Sequence, residues 1–269
     1  EGPGAHLPLR YPARYRAEHS ESRFVTRKAI EHVTSQAGQG WCLSLNYIKP
    51  HPPRIAPAPY NDLYDPAAMP APNRRPEELD AQHPYLKLLR ADPRLVDERE
   101  LRETQANYYA MLTELDACLG ELFSALKERG QWNDTFIVFS SDHGEYLGDH
   151  YCLNKEHFYD ATMRVPYIVR DPSPQAAGTR GKVLDHFCES IDSTPTLLEF
   201  AGAPIPAHVH GRSLLGLVRG DPRARPKERI FYEYDFRHMA REVPGAQPDD
   251  CLLWVVRDDR YKYVQFLPE

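Results

Sequence analysis

The chain has 269 residues, of which 41% are hydrophobic and 27% charged, and a formal net charge of −6. This is the composition of a globular protein with enough length for one large α/β domain or a domain and a half. No basic stripe points to nucleic acid, and no apolar run approaches the roughly 20 residues of a membrane span.

The opening Glu1-Gly-Pro-Gly lacks the basic and apolar regions of a signal peptide. Five cysteines, Cys42, Cys118, Cys152, Cys188 and Cys251, are odd in number and widely spaced, with no Cys-x-x-Cys. Together these predict reduced thiols in a cytoplasmic protein rather than a disulfide framework.

Residues 1–20 read as an entering loop. From Ser22 to Ala37, the residues Phe24, Val25, Ala29, Ile30 and Val33 fit one helix face, ended by Gly38 and Gly40. Trp41–Ile48 reads as a strand, terminated by Lys49-Pro-His-Pro-Pro53 because proline cannot continue a ladder. His51 thus sits on a rigid loop at a strand's carboxyl end, although a histidine between prolines is also an ordinary surface residue. Residues 57–97 form a long Pro-rich insertion whose Tyr60, Tyr64 and His83 are candidates for substrate contact or for packing. Glu98–Arg129 is the clearest helix: Tyr108, Met111, Leu115, Cys118, Leu122 and Leu126 recur at steps of three and four, and Gly130 is placed to end it.

The apolar run Phe136–Phe139 reads as a buried, parallel strand that breaks off in Ser-Ser-Asp142-His143-Gly144. Ligands of open α/β sheets bind beyond the carboxyl ends of strands, and a carboxylate beside an imidazole is an ordinary ligand pair for a divalent cation. The bland alternative is a turn and helix cap. Gly144 lets the chain turn away without a Cβ, and Lys155 follows on a loop that can return to an anion held by that cation. Cys152 is the thiol nearest this stretch, with His150 or His157 as its possible base; a passive cysteine is the competing reading. Val165–Arg170 reads as a further strand. Ser190–Gly202 reads as a helix with Thr194 as cap and Pro195 at its first position. His208 and His210 form a His-x-His with no further ligand nearby, the pattern of an exposed loop. After Arg229 the runs Ile230–Tyr234, Leu252–Arg257 and Tyr261–Phe266 read as antiparallel strands, the last two a hairpin turning at Asp258-Asp259.

The run Ser141-Asp-His-Gly-Glu-Tyr-Leu-Gly-Asp-His150, then Lys155, then Arg164-Val-Pro-Tyr-Ile-Val169, resembles the sulfatase branch of the alkaline-phosphatase superfamily. Leu45–Ala56, with its Pro-His-Pro-Pro, is similar to the segment whose histidine points into that family's active site, and the Tyr60–Pro93 insertion looks most like phosphonate monoester hydrolases and their arylsulfatase relatives. The resemblance implies an α/β fold with a mostly parallel sheet flanked by helices and the start of a small antiparallel C-terminal subdomain. It implies a core over residues 1–226, lacking its N-terminal part, and a subdomain over 227–269. It implies a metal held partly by Asp142 and His143, manganese or calcium foremost. It assigns His51 to protonating the leaving group and Lys155 to neutralising an ester oxygen. The family's nucleophile is a formylglycine made in a Cys/Ser-x-Pro-x-Arg motif, and no cysteine or serine of this chain stands in that pattern. A fragment or truncated product is therefore expected. A small-molecule ester is the expected substrate, with a homo-oligomer as a possible assembly. A choline-sulfatase-like enzyme, a phosphodiesterase and a non-enzymatic binding or oligomerisation module are the alternatives.

Overall fold

In the computed structural model, the described residues are 12–36, 40–80, 83–90, 95, 97–155, 158–239, 247, 249 and 251–267. Gly38 and His157 lie outside them. The chain divides into two units, one of Glu1–Ala81, Leu89–Asn133 and Leu147–Leu153, the other of Gln82–Leu88, Asp134–Tyr146 and Asn154–Glu269.

The first unit is built on two helices. Helix α1, Glu21–Ser35, is capped by Ser20, whose hydroxyl accepts the Arg23 N–H. Its buried face is Ser22, Thr26, Ala29 and Val33, and Phe24 is 51% exposed, so the face is turned away from the expected one. Small residues at steps of three and four let α1 lie close to the long helix, and the Thr26 hydroxyl is satisfied by Ser22 O (2.7 Å). That long helix, Glu98–Glu128 (α3), follows the short α2, Pro84–Leu89. Asp97 caps α3 by accepting the N–H groups of Arg99 and Glu100, and Gly130, at φ 69°, ends it in the left-handed conformation. Its buried stripe includes Leu101, Ala110, Met111, Leu115, Cys118, Leu122 and Leu126. The residues of the expected strand Trp41–Ile48 alternate between half-buried and exposed as a strand's do, but among the described residues it joins no ladder.

In the second unit, β1 (Ile137–Ser140) is followed by α4 (Asp160–Met163) and β2 (Tyr167–Arg170). β1 pairs with β2 antiparallel, Ile137 opposite Arg170 and Ser140 opposite Tyr167, and is half-buried. The expected parallel, buried strand is corrected in both respects: the excursion over residues 141–166 reverses the chain instead of carrying it across the sheet. Helix α5, Ser193–Phe200, is preceded by a 3-10 turn, Ser190–Asp192. Thr194 lies inside the helix and does not cap it; Asp192 holds the N-cap position without a side-chain capping bond, and its buried carboxylate instead accepts from Glu189 N–H (2.9 Å), Arg212 N–H (2.7 Å) and Lys227 Nζ (2.9 Å).

Helix α6 is Leu215–Val218, and β3 (Ile230–Asp235), β4 (Leu252–Arg257) and β5 (Lys262–Leu267) make the expected antiparallel C-terminal sheet, in the order β3-β4-β5. The hairpin turn is held by Asp258, which accepts the N–H groups of Arg260 and Tyr261. On the sheet's inner face, Tyr85 of α2 stacks on Phe236 at 4.0 Å, alongside buried Leu253 and Val255. The α/β character and the small C-terminal sheet thus stand as expected, while every ladder among the described residues is antiparallel.

Candidate active site

Beyond β1 the backbone doubles against residues 161–162. Gly144 N–H donates to Thr162 O (2.7 Å) and Glu145 N–H to Ala161 O (3.1 Å). A Cβ on Gly144 would run into the Ala161 carbonyl oxygen and lie 3.0 Å from its carbon and 3.1 Å from Thr162 Cα. The glycine is therefore required by this close approach of two backbones rather than by a turn alone.

That doubling fixes the residues just before it. Asp142 Oδ1 accepts the His143 N–H (3.0 Å) and the Ser141 hydroxyl donates to His143 O (2.8 Å). His143 Nδ1 lies 2.8 Å from Gly144 O. A carbonyl oxygen only accepts, so Nδ1 carries the proton, and in the neutral ring the lone pair is on Nε2. Nε2 in turn stands 3.4 Å from Asp142 Oδ2. Two donors bound at right angles to one cation, each about 2.2 Å away, lie about 3.1 Å apart. The 3.4 Å spacing is thus near what two ligands of one cation would need, and the second ring nitrogen is held by a carbonyl oxygen. The Asp142 side chain is 82% exposed and that of His143 29%. Among the described residues no group of three or more His, Cys, Asp and Glu side chains is placed to hold a metal. These two are therefore only part of any shell.

Lys155 directly follows the same fold-back in sequence. Tyr146 N–H donates to Asn154 O (3.1 Å), and Asn154 N–H to Glu145 Oε1 (2.6 Å). Asn154 has a positive φ of 66°, a conformation asparagine tolerates. Tyr146, buried, accepts a hydrogen bond from the Thr162 hydroxyl (3.2 Å). Among the described residues, no ion pair joins Lys155 to Asp142.

His51 belongs to the first unit. It is exposed, and its N–H donates to Ile48 O (2.9 Å). Its Nδ1 is 2.7 Å from Pro52 O, so that nitrogen also carries the proton and the lone pair of the neutral ring is on Nε2.

The remaining candidates have structural duties. His150 Nδ1 bonds Glu78 Oε2 (2.9 Å), and Cys152 is buried with its thiol 3.4 Å from His150 O. Tyr60 accepts from Arg23 Nη2 (2.9 Å), and Tyr64 bonds the Thr113 hydroxyl (2.7 Å). His83 stacks on Phe266 at 4.0 Å, and burial pushes its pKa down. His208 and His210 are exposed on a loop.

Residue order does not single out Glu145 or Glu114 as functional. Glu145 offers no periodic signal. Glu114, a carboxylate on the apolar stripe of α3 between Met111 and Cys118, was visible as an anomaly.

Residues 5–203 match the Sulfatase family, and residues 148–269 match N-sulphoglucosamine sulphohydrolase, C-terminal. The chain belongs to the sulfatase family. It is 37% identical to the multifunctional alkaline phosphatase superfamily protein PehA of Trinickia caryophylli, covering 95% of this chain and 53% of that one. It is 31% identical to an arylsulfatase of Clostridium perfringens, over 81% of this chain and 45% of the relative. The phosphonate monoester hydrolase SpPMH from Silicibacter pomeroyi superposes with a TM-score of 0.88 at 35% identity, covering 96% of this chain and 54% of its own. This sulfatase-family chain thus spans about half the length of these relatives. No helix among its described residues is long and apolar enough to cross a membrane.

Proposed function

We propose that this chain forms part of a metal-dependent hydrolase of phosphonate, phosphate or sulfate esters, of the phosphonate monoester hydrolase and arylsulfatase kind, acting on a small-molecule ester. The observation that carries this reading is the Asp142–His143 corner, where a carboxylate oxygen and a lone-pair imidazole nitrogen stand 3.4 Å apart. The names of the relatives, a phosphonate monoester hydrolase and an arylsulfatase among them, support the ester class.

Asp142 Oδ2 and His143 Nε2 would hold a divalent cation, manganese or calcium. When bound, it supplies Lewis-acid polarisation of the ester oxygens and holds the nucleophile. The imidazole keeps its orientation because Nδ1–H stays on Gly144 O. The Lys155 ammonium offsets negative charge growing on a non-bridging or leaving oxygen. His51, once protonated, donates its Nε2 proton to the leaving oxygen as the ester P–O or S–O bond breaks, and regains a proton from water afterwards. In this reading the formylglycine nucleophile comes from sequence outside these 269 residues.

The test is kcat/KM of the full-length gene product on 4-nitrophenyl sulfate and a 4-nitrophenyl phosphonate monoester, with Lys155→Ala compared. Hydrolysis of at least one ester is expected, with a loss of about 10²-fold or more on removing Lys155. No hydrolysis of either ester by metal-supplemented protein, or no change in Lys155→Ala, contradicts the reading.

A further inference from the structure

The Pro-His-Pro-Pro loop leaves the Trp41–Ile48 segment, which joins no ladder among the described residues, so strand pairing among them does not hold it in place. Side chains hold it to the helices instead. At alternate positions, Tyr47 bonds the Thr26 hydroxyl of α1 (2.9 Å) and Lys49 forms an ion pair with Glu114 of α3. The Glu114 side chain is 0% exposed and that of Lys49 11%. The second carboxylate oxygen of Glu114 is buried with no hydrogen-bond partner among the described residues. An ion pair this buried and half-satisfied is a poor device for stability, since desolvation offsets most of the attraction. It is a good device for fixing one point of a loop, because neither charge can leave the other without standing alone in a dry interior. Only Pro50, with its locked φ, separates Lys49 from His51, so fixing Lys49 restrains the backbone that carries the imidazole. The His51 N–H bond back to Ile48 O closes the same turn.

We propose that Glu114 and Lys49 are positioning residues that hold the His51 loop in place for proton donation to the leaving group. This rests on the reading of His51 given above. Displacing a proton donor by about 1 Å can cost on the order of 10²-fold in rate, and the cost should fall on substrates that need the proton.

The experiment measures kcat/KM of the full-length gene product on aryl phosphonate monoesters ranging from 4-nitrophenyl to phenyl, for wild type, His51→Ala, Glu114→Gln and the doubly apolar Lys49→Met/Glu114→Leu. The doubly apolar protein keeps the volume and removes both charges, so it serves if Glu114→Gln fails to fold, and thermal unfolding reports on each variant. For His51→Ala the loss should deepen as the leaving group becomes more basic. The Glu114 variant is expected to show the same steepening, at least about tenfold more loss on the phenyl ester than on the 4-nitrophenyl ester. A steep His51→Ala profile with flat, uniform effects in the Glu114 variants overturns the positioning role alone. A flat profile for His51→Ala overturns the acid role of His51 and the clamp with it.

Discussion

Gly144→Ala is the smallest change that should dismantle the Asp142–His143 corner. The added methyl meets the Ala161 carbonyl oxygen head-on, with Ala161 C at 3.0 Å and Thr162 Cα at 3.1 Å also too close. All three are backbone atoms, so no side-chain rotation relieves the clash. The two chains must part, and the Gly144 N–H to Thr162 O (2.7 Å) and Glu145 N–H to Ala161 O (3.1 Å) bonds stretch or break. Each lost bond costs about 1 kcal/mol, and more where a donor is left buried, while forced overpacking adds about 1–3 kcal/mol. The expected destabilisation is therefore about 3–5 kcal/mol, read as a lower midpoint of urea unfolding at unchanged slope. Hydrolysis should fall as well, since Asp142 and His143 are oriented by the residues that move. A destabilisation under about 1 kcal/mol would refute the argument that the backbones here touch as closely as described.

Two further outcomes follow from the second unit. Asp192→Ala removes the acceptor for Glu189 N–H, Arg212 N–H and Lys227 from a fully buried position. It should cost about 3–5 kcal/mol in the same unfolding assay, and a loss below about 1 kcal/mol contradicts its role in tying these three segments together. Burial raises the pKa of Asp160, but hydrogen bonds from Lys262 and Arg257 outweigh this and hold it below the ordinary value. A depressed folded pKa contributes stability that is present above the unfolded value of about 3.9 and disappears as pH falls through the folded one. Asp160→Asn should therefore lower Tm at neutral pH and flatten the acid limb of the Tm profile, and an unchanged limb contradicts the pairing.

Much of this was legible in residue order. The stripe of α3, Gly130 at its end and the Asp258-Asp259 hairpin each have a local cause, and local causes show in sequence. The Asp142-His143-Gly144 corner was legible as a chemical cluster. Other features depend on what the chain meets in space. Whether β1 pairs parallel or antiparallel is decided by where residues 141–166 return. The choice of Ser22 and Thr26 over Phe24 for the buried face of α1 is decided by close approach to α3. The roles of Glu145 and Glu114 arise from partners 9 and 65 residues away, separations that no periodicity encodes.

Asp142 and His143 are proposed to share a cation used in ester hydrolysis. The most direct measurement is titration of the full-length protein and its Asp142→Asn variant with manganese and with calcium, by calorimetry alongside ester hydrolysis. The account predicts saturable binding and hydrolysis in the wild type and loss of both in the variant. An Asp142→Asn protein that binds the cation and hydrolyses the ester as the wild type does would contradict it, leaving Asp142 a residue of the turn.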